Sequence, residues 1–168
     1  NNSLPLGDPG VLLPSLFGLV KSGDAVADNN ERLCFIAHKN DLGHDFVRNP
    51  PANVHIITCA QHWKTAVSKI QQCGFVASSS LHGIIVADAL SIPRLWFQFN
   101  DTRTKRTEGT FKYQDYFQSI GHMITRPISN VTFIQDTSKY SNVLTQSELK
   151  TILNRTSASF PFHLFETC

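Results

Sequence analysis

The sequence predicts an α/β domain with a mainly parallel sheet flanked by helices. Short apolar runs of strand length alternate with segments whose apolar residues recur at helical spacing, which is typical of this class. The 168 residues are enough for one ordinary domain, and 41% of them are hydrophobic and 17% charged, as in globular proteins. No repeat, low-complexity tract or second domain is evident, so we expect residues 1–168 to form a single domain.

Strands are predicted where compact apolar runs are bounded by polar turns. The clearest run is LCFIA, Leu33 to Ala37, which has the length of a buried strand. A run rich in β-branched residues near the C-terminus, Val131 to Ile134, is also predicted as a strand. The predicted strands are therefore residues 33–37, 54–57, 75–77, 95–99 and 131–134.

Helices are predicted from apolar residues at i, i+3, i+4 and i+7. Trp63, Ala66, Val67 and Ile70 follow this spacing. Near the C-terminus, Thr145 and Glu148 form a T-x-x-E capping box, so a last helix begins there. The helices predicted before this last one cover residues 11–19, 61–72, 81–90 and 111–120, and the third of these is apolar nearly all round.

Charge and motif content narrow the classes of function. The net charge is only +2 and no dense Lys/Arg stripe occurs, so no nucleic-acid partner is expected. The densest basic stretch, Arg103, Lys105 and Arg106, is interpreted as a solvated loop first and as an anion contact second. The longest apolar run is far shorter than the roughly 20 residues of a membrane-spanning helix. Without HExxH, CxxC or Gx4GK[ST] motifs, neither a metal site nor a bound cofactor is predicted.

Cysteines and sequons bear on the compartment. Cys34 and Cys73 adjoin apolar runs and are interpreted as buried thiols, which suits a reducing environment. We therefore expect a cytoplasmic location, either free or peripheral to a membrane. Three Asn-x-Thr sequons, at Asn100, Asn130 and Asn154, matter only if the chain is secreted.

The most informative segment joins the third predicted strand to an apolar helix. Ser78, Ser79 and Ser80 form a hydroxyl-rich turn, and the helix then begins with Leu81, His82 and Gly83. A helix N-terminus carries about half a positive charge and unpaired N–H groups, so this turn can cradle a phosphate or carboxylate. His82 can add a hydrogen-bond donor or move a proton. The alternative is that the serines only cap the helix.

Four segments carry a resemblance to a known family. SSSLHGIIVADALSIP, starting at Ser78, resembles the signature segment of the polysaccharide pyruvyl transferase family. GDPGVLLP from Gly7, IAHKND from Ile36 and FKYQDYFQSIG from Phe111 resemble three further family motifs in the same order. The match covers residues 7–121. Ala37 stands where the family often has proline, and Ser80 where many members have arginine.

This resemblance implies that the chain is the C-terminal, donor-binding half of a GT-B-like enzyme with Rossmann-like lobes. The implied reaction transfers a pyruvyl group from phosphoenolpyruvate to two hydroxyls of a sugar, in the biosynthesis of exopolysaccharides or cell-surface glycans. The chain begins at Asn1 and its only methionine is Met123. We therefore expect an N-terminal half that holds the glycan acceptor, and no turnover by this chain alone.

The resemblance also suggests roles for individual residues. His82 and His38 would supply the proton steps, while Ser78, Ser79, Ser80, Leu81 and Gly83 would hold the phosphate. Lys112 would neutralise a donor anion, or would simply pair with Asp115 on one helix face. Asp41 would orient His38, bind the acceptor or belong to a turn, and Asp115 is a further acceptor or hinge candidate. Asp8 is interpreted as an Asx turn before a hinge role, and Asp88 as a buried structural carboxylate.

Two other functions remain open. The same cradle would suit a glycosyltransferase that uses a nucleotide-activated sugar. The chain would alternatively be a non-catalytic sugar-binding or interaction domain of the same fold. Binding of phosphoenolpyruvate, nucleotide sugars and plain sugars distinguishes the three.

Overall fold

A four-stranded parallel sheet forms the centre of the domain. The computed structural model describes residues 8–13, 32–58, 60–100, 110–124, 126–140 and 143–159. The strands are β1 Leu33–Ala37, β2 Val54–Thr58, β3 Phe75–Ser78 and β4 Arg94–Trp96, in the order β2-β1-β3-β4. Every pair of neighbouring strands is parallel. The predicted α/β class and the first four strands are thereby confirmed, although β4 begins one residue earlier and ends sooner than predicted.

Where the structure describes them, the predicted helices lie within about two residues of their predicted bounds, whereas a short helix at Asp45–Arg48 was not predicted. The helices are α1 Asp45–Arg48, α2 Trp63–Ile70, α3 Leu81–Ala89, α4 Thr110–Ser119 and α5 Gln146–Ser159, with 3₁₀ helices at Pro9–Leu12, Lys39–Asp41, Val131–Ile134 and Thr137–Tyr140. The helix predicted over residues 11–19 begins as the first 3₁₀ helix, and its part beyond Leu13 lies outside the described residues. The basic stretch Arg103, Lys105 and Arg106 lies outside them too. No described helix combines the length and apolarity that crossing a membrane requires.

The two faces of the sheet bury different kinds of side chain. One face packs its aliphatic residues, such as Ile36 and Val76, against α2 and α3. The opposite face is rich in phenylalanine, with the Phe35 ring in edge contact with Phe46 and Phe97 at 5.1 and 5.4 Å between centroids. The connections from β2 to β3 and from β3 to β4 run in the same direction along the sheet, which places their helices on the same face.

Helix α3 is the most buried element beyond the sheet. Seven of its nine residues are buried, as its apolar sequence predicted. Its outer side meets α4 and α5 in a second cluster that includes Ile84, Ile85, Phe117 and Leu149. Helix α4 ends in a Schellman motif: Gly121 has φ of +79°, and the amide of His122 donates to the carbonyl of Phe117 at 2.8 Å.

The predicted strand at Val131 to Ile134 is wrong, because this segment is a 3₁₀ helix. The side chain of Asn130 accepts a hydrogen bond from the backbone amide of Thr132 at 3.1 Å and begins the turn. This local bond outweighs the β-propensity of the valine, threonine and isoleucine side chains. Residue Ile128, a few positions earlier, makes the parallel bridge with Phe97 instead.

The interpretation of Cys34 and Cys73 as buried thiols is also wrong. Both residues are buried, at 1% exposure each, but they form a disulfide with 5.9 Å between their Cα atoms. Cys34 lies in β1 and Cys73 follows α2, so the bond joins the sheet to the helix that covers it. Protein disulfide bonds persist mainly in oxidising compartments.

The capping box at α5 forms as predicted. The carboxylate of Glu148 accepts from the amide of Thr145 at 2.7 Å, and the hydroxyl of Thr145 accepts from the amide of Glu148 at 3.2 Å. Hydrogen bonds from the Thr145 hydroxyl and backbone lower the pKa of the Glu148 carboxyl. This contribution to stability is present above the usual glutamate pKa and is lost as the pH falls through the lowered value.

Removing the cap should destabilise the domain modestly. We expect Thr145→Ala to lower the free energy of unfolding by about 1 kcal/mol, because the backbone amide of Glu148, one of the orphan amides at the start of α5, loses its partner. The exposed Thr65 of α2 is the matched control, and Thr65→Ala should be neutral or slightly stabilising. Urea denaturation measures both changes. Equal effects of the two substitutions would contradict the capping role.

Candidate active site

The sheet has a topological switch point between β1 and β3. From β1 the chain continues to β2 on one side, and from β3 it continues to β4 on the other. Ligands of open α/β sheets bind beyond the carboxyl ends of the strands at such a point. His38 follows β1 and Ser79 follows β3, and the backbone amide of His38 donates to the Ser79 hydroxyl at 3.0 Å. Two of the predicted site residues thus meet where β1 and β3 end, and we call this place the crevice.

Ser79 is the centre of a buried hydrogen-bond network. Its hydroxyl donates to the carboxylate of Asp41 at 2.5 Å, and its carbonyl accepts from the hydroxyl of Tyr113 at 2.8 Å. Asp41 is only 2% exposed. The single hydrogen of the Ser79 hydroxyl is used in the bond to Asp41. The Ser79 hydroxyl therefore holds the loop after β1 in place. Asp41 therefore positions Ser79, a role that its place in the sequence does not reveal.

Ser78 and Gly83 make the turn into α3 compact. The Ser78 hydroxyl donates to the carbonyl of Ser80 at 2.8 Å and accepts from the amide of Ser80 at 3.0 Å. A Cβ atom on Gly83 would lie 2.5 Å from the Ser78 oxygen and 2.8 Å from a methyl carbon of Ile36. Close packing of α3 on β1 thus explains why residue 83 has no side chain. Its predicted contact with a ligand stays a prediction.

The N-terminus of α3 does not receive the simplest predicted cap. Ser80 is the N-cap residue, yet its side chain makes no capping hydrogen bond. The capping interpretation is therefore wrong for Ser80, although Ser78 does bond to the amide of Ser80. Leu81 is half-buried and His82 is exposed in the first turn. The first amides of α3 consequently point at this end without a side-chain cap from Ser80.

A cavity opens beside this helix terminus. Its volume is about 370 Å³, and it lies on the face of the sheet that α2 and α3 cover. Most of its wall is aliphatic, from residues such as Ile57, Val67 and Val86, whereas Ser80 and His82 bring polar atoms to it. The cavity therefore offers an apolar surface next to a helix N-terminus, a hydroxyl and an imidazole.

His38 has a defined ring orientation. Its Nδ1 accepts a hydrogen bond from the amide of Asn40 at 3.2 Å and caps the 3₁₀ helix Lys39–Asp41. In the neutral ring the hydrogen is then on Nε2. His38 is thus arranged to donate a hydrogen bond from Nε2.

The remaining predicted site residues have different surroundings. Asp8 accepts from the amide of Gly10 at 2.8 Å, which is the Asx turn that was favoured for it. Lys112 is exposed, and its ammonium lies 5.5 Å from the centroid of the Tyr113 ring. Lys112 is next in sequence to Tyr113, whose hydroxyl donates to the carbonyl of Ser79 in the serine turn. Asp115 is exposed on the same helix, and no ion pair joins these two described side chains.

A second polar cluster lies at the other end of α3. Asp88 is fully buried, and its carboxylate accepts from Nε of Arg94 at 2.9 Å and from the hydroxyl of Tyr116 at 2.9 Å. Arg94 also approaches Nδ1 of His122 at 3.3 Å. The structural interpretation of Asp88 agrees with these contacts. Its partners were missed, since Arg94 and Tyr116 stand in apolar runs whose sequence does not indicate an ion pair.

Comparisons with known proteins do not add a family. No protein-family model matches the chain, and no curated protein or solved structure matches it either. Within the described residues, no group of His, Cys, Asp and Glu side chains is arranged to hold a metal ion.

Proposed function

We propose that this domain binds phosphoenolpyruvate at the switch point and serves as the donor-binding lobe of a pyruvyl transferase-like enzyme. The observation that carries the proposal is the convergence of His38, Ser79 and Asp41 beside the N-terminus of α3. These residues come from the motifs that resemble the polysaccharide pyruvyl transferase family. Their meeting at a switch point is what a ligand site in an open α/β sheet requires.

The proposed reaction consumes one phosphoenolpyruvate and two hydroxyls of a sugar. The methylene carbon of the donor takes up a proton and becomes a methyl group. Each hydroxyl oxygen forms a bond to the neighbouring carbon and releases its proton, while the bond from that carbon to the phosphate oxygen breaks. The products are a cyclic ketal and inorganic phosphate. The protein must therefore move protons and stabilise a leaving phosphate.

The side chains of the crevice suit these tasks in different ways. The N-terminus of α3 attracts the phosphate, and the Ser80 hydroxyl lies at the wall of the cavity beside it. His82 is exposed in the first turn and can exchange a proton with a bound donor. His38, with hydrogen on Nε2, is suited to donate a hydrogen bond to a phosphate oxygen. Lys112 supplies a positive charge from α4.

The glycosyltransferase alternative is favoured by one observation. A cavity of about 370 Å³ with a mostly aliphatic wall is larger and less polar than phosphoenolpyruvate alone requires. A nucleobase would fill such a surface, so a nucleotide-activated sugar is the second candidate donor. Binding of plain sugars alone would instead favour the non-catalytic alternative.

The disulfide changes the proposed compartment. A cytoplasmic location was expected from the interpretation of the cysteines as thiols. The bond between Cys34 and Cys73 supports folding in an oxidising compartment instead. We therefore propose that this domain folds on the secretory route.

Ser80 offers the cleanest test of donor binding. We expect Ser80→Ala to weaken phosphoenolpyruvate binding about 10-fold, because a hydrogen bond to a charged group is lost, while the fold is retained. The Ser80 side chain caps nothing, so its loss should not disturb α3. Titration calorimetry and thermal unfolding measure the two effects, with the exposed Ser68→Ala as matched control.

The outcomes of this test separate the candidates. Weaker binding of phosphoenolpyruvate by Ser80→Ala, with unchanged binding by Ser68→Ala, supports the proposal. Binding of a nucleotide sugar but not of phosphoenolpyruvate by the unaltered chain would favour the glycosyltransferase. If Ser80→Ala binds phosphoenolpyruvate as tightly as the unaltered chain, the phosphate does not contact this serine.

A further inference from the structure

The three sequons take no part in the proposed function. Each has the form Asn-x-Thr, which an oligosaccharyl transferase recognises in secreted chains. The disulfide Cys34–Cys73 indicates that the chain folds in the kind of compartment where such modification occurs. The sequons matter only in a secreted chain, and the disulfide supports secretion independently of them.

Asn130 has the geometry of an accessible acceptor. The residue is exposed, and so are Val131 and Thr132. Its Oδ1 accepts the hydrogen bond from the amide of Thr132 at 3.1 Å. This bond engages Oδ1 and leaves Nδ2 outside the cap, and the threonine of the sequon is exposed.

The other two sequons differ. Asn154 lies within α5, and the threonine of its sequon, Thr156, is only 5% exposed. The folded helix thus hides one of the two side chains that the transferase reads. Asn100 is exposed, but the two residues that complete its sequon lie outside the described residues.

The position of Asn130 also spares the crevice. The 3₁₀ helix that follows it inserts Phe133 into the phenylalanine-rich face of the sheet. The cavity lies on the opposite face, against α2 and α3. A glycan on Asn130 would therefore project away from the candidate site and leave it open.

We infer that Asn130 is an N-glycosylation site of this protein. In the reaction Nδ2 of Asn130 forms a bond to C1 of an oligosaccharide that is carried on a lipid diphosphate. The bond between C1 and the phosphate oxygen breaks, the lipid diphosphate leaves, and the amide nitrogen releases one proton. The inference is independent of which donor the crevice binds.

The test is expression of the full chain through the secretory pathway of a eukaryotic host. Enzymatic deglycosylation in ¹⁸O water followed by peptide mass spectrometry should mark Asn130 as converted to aspartate. Asn130→Gln and Thr132→Ala should each remove one glycan, whereas Thr132→Ser should retain it. Asn130→Gln also removes the side chain that caps the 3₁₀ helix. The Thr132 variants keep that cap, and the side chain they change is exposed.

Occupancy of Asn130 in the secreted, disulfide-bonded chain, lost in Thr132→Ala and kept in Thr132→Ser, supports the inference. An unmodified Asn130 in that same material would overturn it, whether or not Asn100 or Asn154 is modified. Phosphoenolpyruvate binding by the deglycosylated chain tests the proposed function separately.

Discussion

In the proposed transferase, His82→Asn is expected to lower turnover by on the order of 10²–10⁴, the usual range for loss of a general acid or base. Donor affinity should stay nearly unchanged, because asparagine retains a hydrogen-bond donor at the first turn of α3. His82 is exposed and lines the cavity beside Ser80, where it can reach a bound donor. Steady-state kinetics with separate measurement of donor binding distinguishes the two effects.

The matched control for this substitution is His55, which is exposed on β2 and lies outside the crevice. His55→Asn should change neither turnover nor binding. If His82→Asn keeps its turnover but binds the donor weakly, His82 is a binding contact and His38 becomes the better candidate for the acid. If neither quantity changes, the catalytic assignment of His82 is wrong.

Asp88→Ala is expected to lower the free energy of unfolding by about 3–5 kcal/mol, the range found when one partner of a buried ion pair is removed. Arg94 is completely buried, and its guanidinium has Asp88 as its ion-pair partner and the Phe117 ring 4.8 Å away. Burial raises the pKa of the Asp88 carboxyl, and the positive charge of Arg94 opposes that shift. Without the carboxylate, the arginine charge stays buried and uncompensated.

A double-mutant cycle makes this prediction specific. Arg94→Met alone should also be strongly destabilising, whereas the pair Asp88→Leu with Arg94→Met should recover much of the loss, since no charge is then left buried. Lys150→Met, on the exposed side of α5, is the control and should have little effect. Additive losses in the double mutant would contradict a direct charge interaction.

His82 and Asp88 lie at opposite ends of α3. Leu81 and Asp88 are seven residues apart, which is roughly 10 Å along an α-helix. The Asp88 cluster should therefore affect stability without changing donor contacts, and His82 the reverse. Stability and turnover measured on both sets of variants would show whether the two ends are independent.

Much of the fold follows from local patterns in the sequence. The run LCFIA becomes β1 with the predicted bounds, because a strand buried on both faces needs continuous apolar residues. The T-x-x-E pattern becomes the cap of α5, because capping depends on side chains only three positions apart. Val131 to Ile134 fails for the same local reason: the Asn130 side chain competes with the sheet for the backbone.

The contacts that define the site could not be predicted in this way. Ser79 and Asp41 are 38 residues apart, and Cys34 and Cys73 are 39 residues apart. Whether such side chains meet depends on the order of the strands, which no short motif encodes. The sequence does place polar residues at the ends of β1 and β3, and parallel strands then bring those ends together.

The most direct test of the account is the mapping of phosphoenolpyruvate on the domain by NMR. In ¹⁵N-labelled protein, titration with phosphoenolpyruvate should shift the backbone amides of His38, Ser79, Ser80 and His82 and leave the Phe133 face unchanged. Inorganic phosphate should shift a subset of the same amides more weakly. Shifts confined to another surface, or none at millimolar donor, would contradict a donor site at the switch point between β1 and β3.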